Sequence, residues 1–158
     1  SPMISYPGTR GRDPRSAARV FDAGGLHRDA ALLYRDRVHD PLAAAGCFER
    51  AGLWDDAVAL YRKLDRWEQA GDVLRKIGDD AAADDAFERA AAELYGRGRV
   101  LAAGDLLRDK APALGDRADE FYELGWKLPG SDVIACGTRL VDRHAEGGVG
   151  GPLDRPPA

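Results

Sequence analysis

Three histidines, two cysteines, three pairs of adjacent aspartates and a cluster of arginines are the residues in this 158-residue chain with chemistry to offer. His27, His39 and His144 each stand alone, with no second ligand three or four residues away, so no metal site is expected. Cys47 and Cys136 lie far apart and form no CxxC pair. They read as reduced thiols of a cytosolic protein, Cys47 beside Phe48 being a small core residue. Serine is scarce and no GxSxG nucleophile turn occurs. The glycines at 96 and 98 and the run at 147–151 lack the following Lys-Ser/Thr of a phosphate cradle. Asp55 with Asp56, and Asp79 with Asp80, fall at helix starts, where negative charge meets exposed N–H groups. Asp84 with Asp85 falls on a solvated face. No catalytic constellation, cofactor or small-molecule substrate is therefore expected. An enzyme would have to seclude carboxylates in the C-terminal half, around residues 116–123.

The arginines are the stronger polar signal. Arg10, Arg12, Arg15 and Arg19 crowd the start of the chain, against a net charge of −4 overall. That balance gives no general drive toward nucleic acid or an acidic membrane. No apolar run approaches the ~18–20 residues of a membrane span, and no signal peptide is visible. Ser1 and Pro2 precede Met3, which reads as the natural start.

The elements that would position these residues repeat. Residues 13–35 and 40–62 are near-copies offset by 27, identical at twelve of 23 positions. Each opens with Asp-Pro, a helix N-cap followed by the residue best tolerated at the first helical position. In the first copy Ala17, Ala18 and Phe21 form an apolar stripe, and Gly24 and Gly25 end the helix. Ala30, Leu33, Tyr34 and Val38 then line a return helix. In the second copy the same roles fall to Ala44, Ala45 and Phe48, then Gly52, then Ala57, Leu60, Tyr61 and Leu64. A third, looser copy runs through Trp67, Ala70, Gly71, Leu74 and Ile77, turns at Gly78, and returns through Ala83, Ala86, Phe87, Ala90 and Leu94. Alanine at the crossing points lets two antiparallel helices approach, with the large residues filling the gaps beside them. Further helices are expected around Val100 to Leu107, Ala118 to Trp126 and Val133 to His144, the last capped by Ser131 or Asp132. The expected organisation is a flexible lead-in at 1–12 and a helical-repeat domain at 13–146. Its units are 13–38, 40–65 and 66–97, with a degenerate helical end at 98–146, and a Gly/Pro tail follows at 147–158. The fold class is all-α, with eight or nine helices and no sheet.

The spacing of Trp67, Ala70, Gly71, Leu74, Ala83, Phe87 and Ala90 resembles that of the tetratricopeptide repeat class. So does that of Ala44, Ala45, Phe48, Ala57 and Tyr61, and of Ala17, Ala18, Phe21, Ala30 and Tyr34. The likeness covers roughly residues 13–95, with a unit of 27 against about 34 in that class. It implies a right-handed α-solenoid of antiparallel helical hairpins with a concave binding strip. Carried over by position, the strip comprises Arg15, Arg19 and Asp22 in the first copy. Gly46, Glu49 and Arg50 follow in the second, and Glu68, Asp72, Arg75 and Lys76 in the third. Arginine there can hold a carboxylate or an acidic peptide bidentately. The expected function is a non-enzymatic, cytoplasmic interaction or scaffold module for a peptide or protein partner, as part of a larger signalling or defence assembly. The alternative is a nucleic-acid-binding repeat using the N-terminal arginines, against which the net acidity and the absence of stacking aromatics weigh.

Overall fold

The computed structural model describes residues 13–130 and 132–147. The expected lead-in at 1–12, the Ser131 cap and the tail from 148 onward lie outside the described residues. Among those described, nine α-helices and no strand occur: α1 (Pro14–Ala23), α2 (His27–Leu33), α3 (Pro41–Arg50), α4 (Trp54–Lys63), α5 (Trp67–Lys76), α6 (Asp80–Gly96), α7 (Val100–Lys110), α8 (Gly115–Lys127) and α9 (Val133–Gly147). A π-helical turn (Tyr34–Val38) continues α2, and a 3₁₀ turn (Pro112–Leu114) precedes α8. No described helix is long and apolar enough to cross a membrane. The chain divides into two compact units, Ser1–Asp80 and Ala81–Ala158. The two helices of the third copy thus fall in different units.

In the first unit each helix packs on the next in the chain, from α1 to α5. The starts follow from the sequence. Asp13 and Asp40 accept backbone N–H bonds from Ser16 (2.9 Å) and Ala43 (3.0 Å), and Pro follows each. The ends follow from one repeated device. The N–H of Leu26 reaches back to Phe21 O (2.8 Å), that of Leu53 to Phe48 O (2.9 Å), and that of Asp79 to Leu74 O (3.0 Å). Each such closure requires a left-handed residue just before the donor, and Gly25, Gly52 and Gly78 supply it with φ of 72–85°. Ala17, Ala30, Ala44, Ala57 and Ala70 are all buried, as close helix crossings require.

The period is not constant. First helices begin at Pro14, Pro41 and Trp67, spacings of 27 and then 26. The extra residue lies in the first return helix. Its last turn widens over Tyr34–Val38, where the N–H of His39 bonds to Tyr34 O five residues back. A π turn holds one residue more than an α turn over the same rise, so the surplus is absorbed without shifting α3. His39 (φ 58°) then takes the left-handed position that Asp65 (φ 54°) takes after α4.

In the second unit α7 packs on α8, and α8 on α9. The helix α6 joins them through Tyr95 against Phe121 (ring centroids 5.7 Å apart) and Lys110 over Phe87 (5.7 Å). Here glycines set the closest approaches. Gly104 lies under the Tyr122 ring, Gly137 under Trp126, and Gly125 against the Cys136 sulfur.

Candidate interaction face of the first unit

Burial fixes which side of each first helix is open. Ala17, Ala18 and Phe21 on α1, Ala44, Ala45 and Phe48 on α3, and Ala70, Gly71 and Leu74 on α5 are buried at matching positions. The opposite side carries a row of exposed or half-buried residues one turn apart. These are Arg15 and Arg19 on α1, Leu42, Gly46 and Arg50 on α3, and Glu68, Asp72 and Lys76 on α5.

Five of the ten residues expected to line the strip bond to other members of that set or to a helix cap. Arg50 forks onto Asp22, its Nε donating to Oδ1 (3.1 Å) and its Nη2 to Oδ2 (2.8 Å). Lys76 donates to Glu49 Oε1 at 3.0 Å. The two contacts are one rung used twice: an acid near the end of one first helix meets a base near the end of the following one. Arg15 closes the other end of the first pair, its Nη1 3.1 Å from the Asp40 cap of α3. So α1 and α3 are tied at both ends. Arg75 pairs with Asp80 (2.8 Å). Among the described residues Arg19 makes no ion pair and is exposed, and Glu68 and Asp72 are exposed on α5. The residues of the expected strip thus do two things in the structure: some join successive first helices, and the others are exposed beside them. Of the N-terminal arginines, Arg10 and Arg12 lie outside the described residues.

The rung between Asp22 and Arg50 is reinforced. The His27 Nδ1 lies 2.8 Å from Asp22 Oδ1, so His27 is a polar partner as well as the helix-start residue expected. Burial opposes the Asp22 charge, but the hydrogen bonds from Arg50 and His27 outweigh it and hold the carboxyl below the ordinary aspartate range. A depressed native pKa means that this contribution to stability is complete above the unfolded-state value. It is lost as pH falls through the lower native value. Arg50 is half-exposed, so solvent and salt limit the rung. Arg50→Ala is expected to cost about 0.5–1 kcal/mol in urea unfolding at neutral pH, and less in acid, once protonation of Asp22 has removed the pair. An equal cost at both pH values overturns the assignment.

Cys47 lies beneath this rung, its sulfur 3.2 Å from Arg50 Nη2. The neighbourhood of Asp22, His27 and Cys47 has the residue types of a thiol nucleophile, but the physics runs the other way. Burial, and then the Asp22 charge, push the Cys47 thiol up. Burial likewise pushes up Cys136. Both side chains are sealed from solvent. Native protein is therefore expected to react with a thiol reagent only at the rate of unfolding, and addition of denaturant to release two equivalents at once. Fast labelling of either thiol in buffer contradicts this.

Two hydrogen-bonded tyrosines escaped the sequence reading. Tyr61 donates to Glu49 Oε2 (3.1 Å), and burial, then that carboxylate, push its hydroxyl up to about 12. In the second unit Tyr122 donates to Asp105 Oδ1 (2.7 Å), which also accepts from Arg139 Nε (3.1 Å). Asp105 thereby joins α7, α8 and α9. The only sequence trace of either hub is an aromatic on a helix stripe with an acid on the neighbouring helix. Of the carboxylates around residues 116–123, Asp119 is paired with Arg143 and Glu120 with Arg117. Among the described residues no group of His, Cys, Asp or Glu could hold a metal ion. The Nε2 of His144 is buried without a hydrogen-bond partner among the described residues.

Beside the open row lies a cleft of about 380 Å³, lined by Tyr34, Asp40, Leu42, Ala43, Gly46 and Arg50. Set beside family models, curated proteins and solved structures, the chain matches none of them.

Proposed function

We propose that this protein is a non-enzymatic, cytoplasmic interaction module whose first unit binds a peptide or partner protein along the open row of α1, α3 and α5. In this reading the helices of that unit pair as antiparallel hairpins stacked with a right-handed sense, in the tetratricopeptide manner. The observation that carries it is the repeated rung. By joining acid to base between successive first helices, it sets their outer faces side by side and leaves a second row of side chains facing solvent. A row of this kind suits recognition of an extended segment better than chemistry on a small molecule, for which a site needs convergent groups in a secluded cleft. A role in a larger signalling or defence assembly belongs to the same reading.

The test is retention of a defined protein partner on immobilised wild-type chain, and its loss when Arg19, Gly46 and Asp72 are changed together to Glu, Leu and Lys. Retention that is indifferent to those changes, or a demonstrated turnover residing in this chain, overturns the reading.

A further inference from the structure

The helices α1 and α9 each carry an apolar side that is open to solvent. On α1 it is Val20, 52% exposed, with Leu26 just past the helix end at the same value. On α9 it is Ile134, 80% exposed, and Val141, 51% exposed, with Thr138 and Ala145 exposed in the same stripe. We infer that these two sides are the halves of one contact, the α9 side of one copy seating against the α1 side of another. This goes beyond the interaction-module reading and names a second copy of the chain as a partner.

The interior of the first unit shows what belongs against α1. Val20, Cys47 and Val73 hold one position in three first helices, and Cys47 and Val73 are sealed. Their helices pack on the preceding return helix, α3 on α2 and α5 on α4. The cover over Cys47 includes the end of the preceding hairpin, where Asp22 holds Arg50 beside the thiol. The open side of α1 thus calls for a helix in the place of a preceding return helix. That helix does not belong to another repeat of the same kind. The rung needs a base where α3 has Arg50 and α5 has Lys76, and α1 has Ala23 there.

The helix α9 fits that place. Its buried stripe meets α8, with Cys136 against Gly125 and Gly137 under Trp126. Its second stripe, at 134, 138, 141 and 145, has the four-three spacing of a helix packing seam. A helix apolar on two sides belongs between neighbours. Trp126, 44% exposed, lies on Gly137, which is three residues from Ile134 and four from Val141, so its ring borders the stripe. Charge then selects this pairing over the symmetric ones. On α1, Asp13 caps the helix at Ser16, Asp22 is held by Arg50, and Arg15 is joined to Asp40. Arg19 is exposed and makes no ion pair among the described residues. On α9, Arg139 is engaged by Asp105 and Arg143 by Asp119. Asp142 and Glu146 are exposed and make no ion pair among the described residues. The exposed Lys127 belongs to the last turn of α8, not to the stripe. Two α1 sides together gather cations and two α9 sides gather acids, whereas α1 against α9 joins opposite signs. A contact between unlike sides repeats from copy to copy, as a chain or a ring.

The test is sedimentation velocity on the full chain from about 10 μM to about 1 mM, the range for a contact between two small faces. The weight-average mass is expected to rise with concentration and to pass that of a dimer, because each copy in a pair keeps one open side. Val20→Glu and Ile134→Glu should each hold the chain at the monomer mass. Both positions are exposed, so their melting curves should match the wild type. Leu26→Glu and Val141→Glu are second variants of the same two sides, with the same expectation. An equimolar mixture of Val20→Glu and Ile134→Glu should reach the dimer mass and stop there, since each supplies the side that the other lacks. High salt should weaken the wild-type association several-fold. Monomer mass at every concentration, association that Val20→Glu leaves intact, or a mixture no heavier than its components overturns the inference. So does a dimer limit that depends on Ile134 alone, which is α9 pairing with itself. The open row has its own test in the triple change, and these outcomes leave that reading where it stands.

Discussion

Changing Tyr122 to Phe is expected to lower the stability of the second unit by about 1.5–3 kcal/mol, and changing it to Ala by about 3–5 kcal/mol. Tyr122 has no solvent exposure, and its ring lies on Gly104 of α7. The Phe variant keeps the ring and removes only the donor to Asp105. Because the acceptor is a carboxylate, that bond belongs to the stronger class. The loss is partial, since Arg139 and Arg108 remain near Asp105 at 3.1 and 3.5 Å. The Ala variant adds the cost of a cavity at a three-helix junction. The hydroxyl itself is pushed well above the ordinary tyrosine range, first by burial and then by Asp105. It therefore stays a donor throughout the range in which the fold is studied. Urea unfolding followed by tryptophan fluorescence reads both variants. If Tyr122→Phe is neutral, Asp105 is not the hub described.

The parts of the structure that were legible in the sequence share a physical origin. Helix starts at Pro14 and Pro41, turns at Gly25, Gly52 and Gly78, and the buried alanines are each decided within one turn of chain or by one helix crossing. What escaped depends on a neighbour or on a count. Val20, Cys47 and Val73 occupy the same position in α1, α3 and α5 and are all apolar. Cys47 and Val73 are fully buried and Val20 is 52% exposed. The difference is the absence of a described helix on the far side of α1, which no local pattern carries. The π turn after Tyr34 arises from one residue of surplus, visible only when the starts at 14, 41 and 67 are counted against each other. The rung was half legible. Asp22 and Glu49 were singled out, as were Arg50 and Lys76, but as groups offered to a partner. Only the side-chain geometry shows them joined to each other. Joined in this way they hold the repeats together, and exposed residues beside them, among them Arg19 and Leu42, are what the proposed partner would meet.

The same distinction between open and occupied space makes opposite predictions for two helical glycines. Gly46 and Gly104 both sit inside helices, α3 and α7, and on propensity alone replacement by Ala should stabilise each by about 0.5–1 kcal/mol. At Gly46 the added methyl enters the open cleft, so the full gain is expected. At Gly104 it lands 2.5 Å from Tyr122 Cε1 and 2.8 Å from Cδ1. The ring cannot retreat easily, because its hydroxyl is bound to Asp105 and the residue is sealed on every side. Either α7 and α8 move apart or the hydrogen bond breaks, and such overpacking costs about 1–3 kcal/mol, more than propensity returns. Gly46→Ala should therefore raise the melting temperature and Gly104→Ala lower it by several degrees. Combining Gly104→Ala with Tyr122→Leu should recover part of the loss of the first, because the smaller side chain vacates the ring positions the methyl would strike. Additive losses in that pair would show that the ring and the glycine are not in contact, and the packing of α7 on α8 would need a different account.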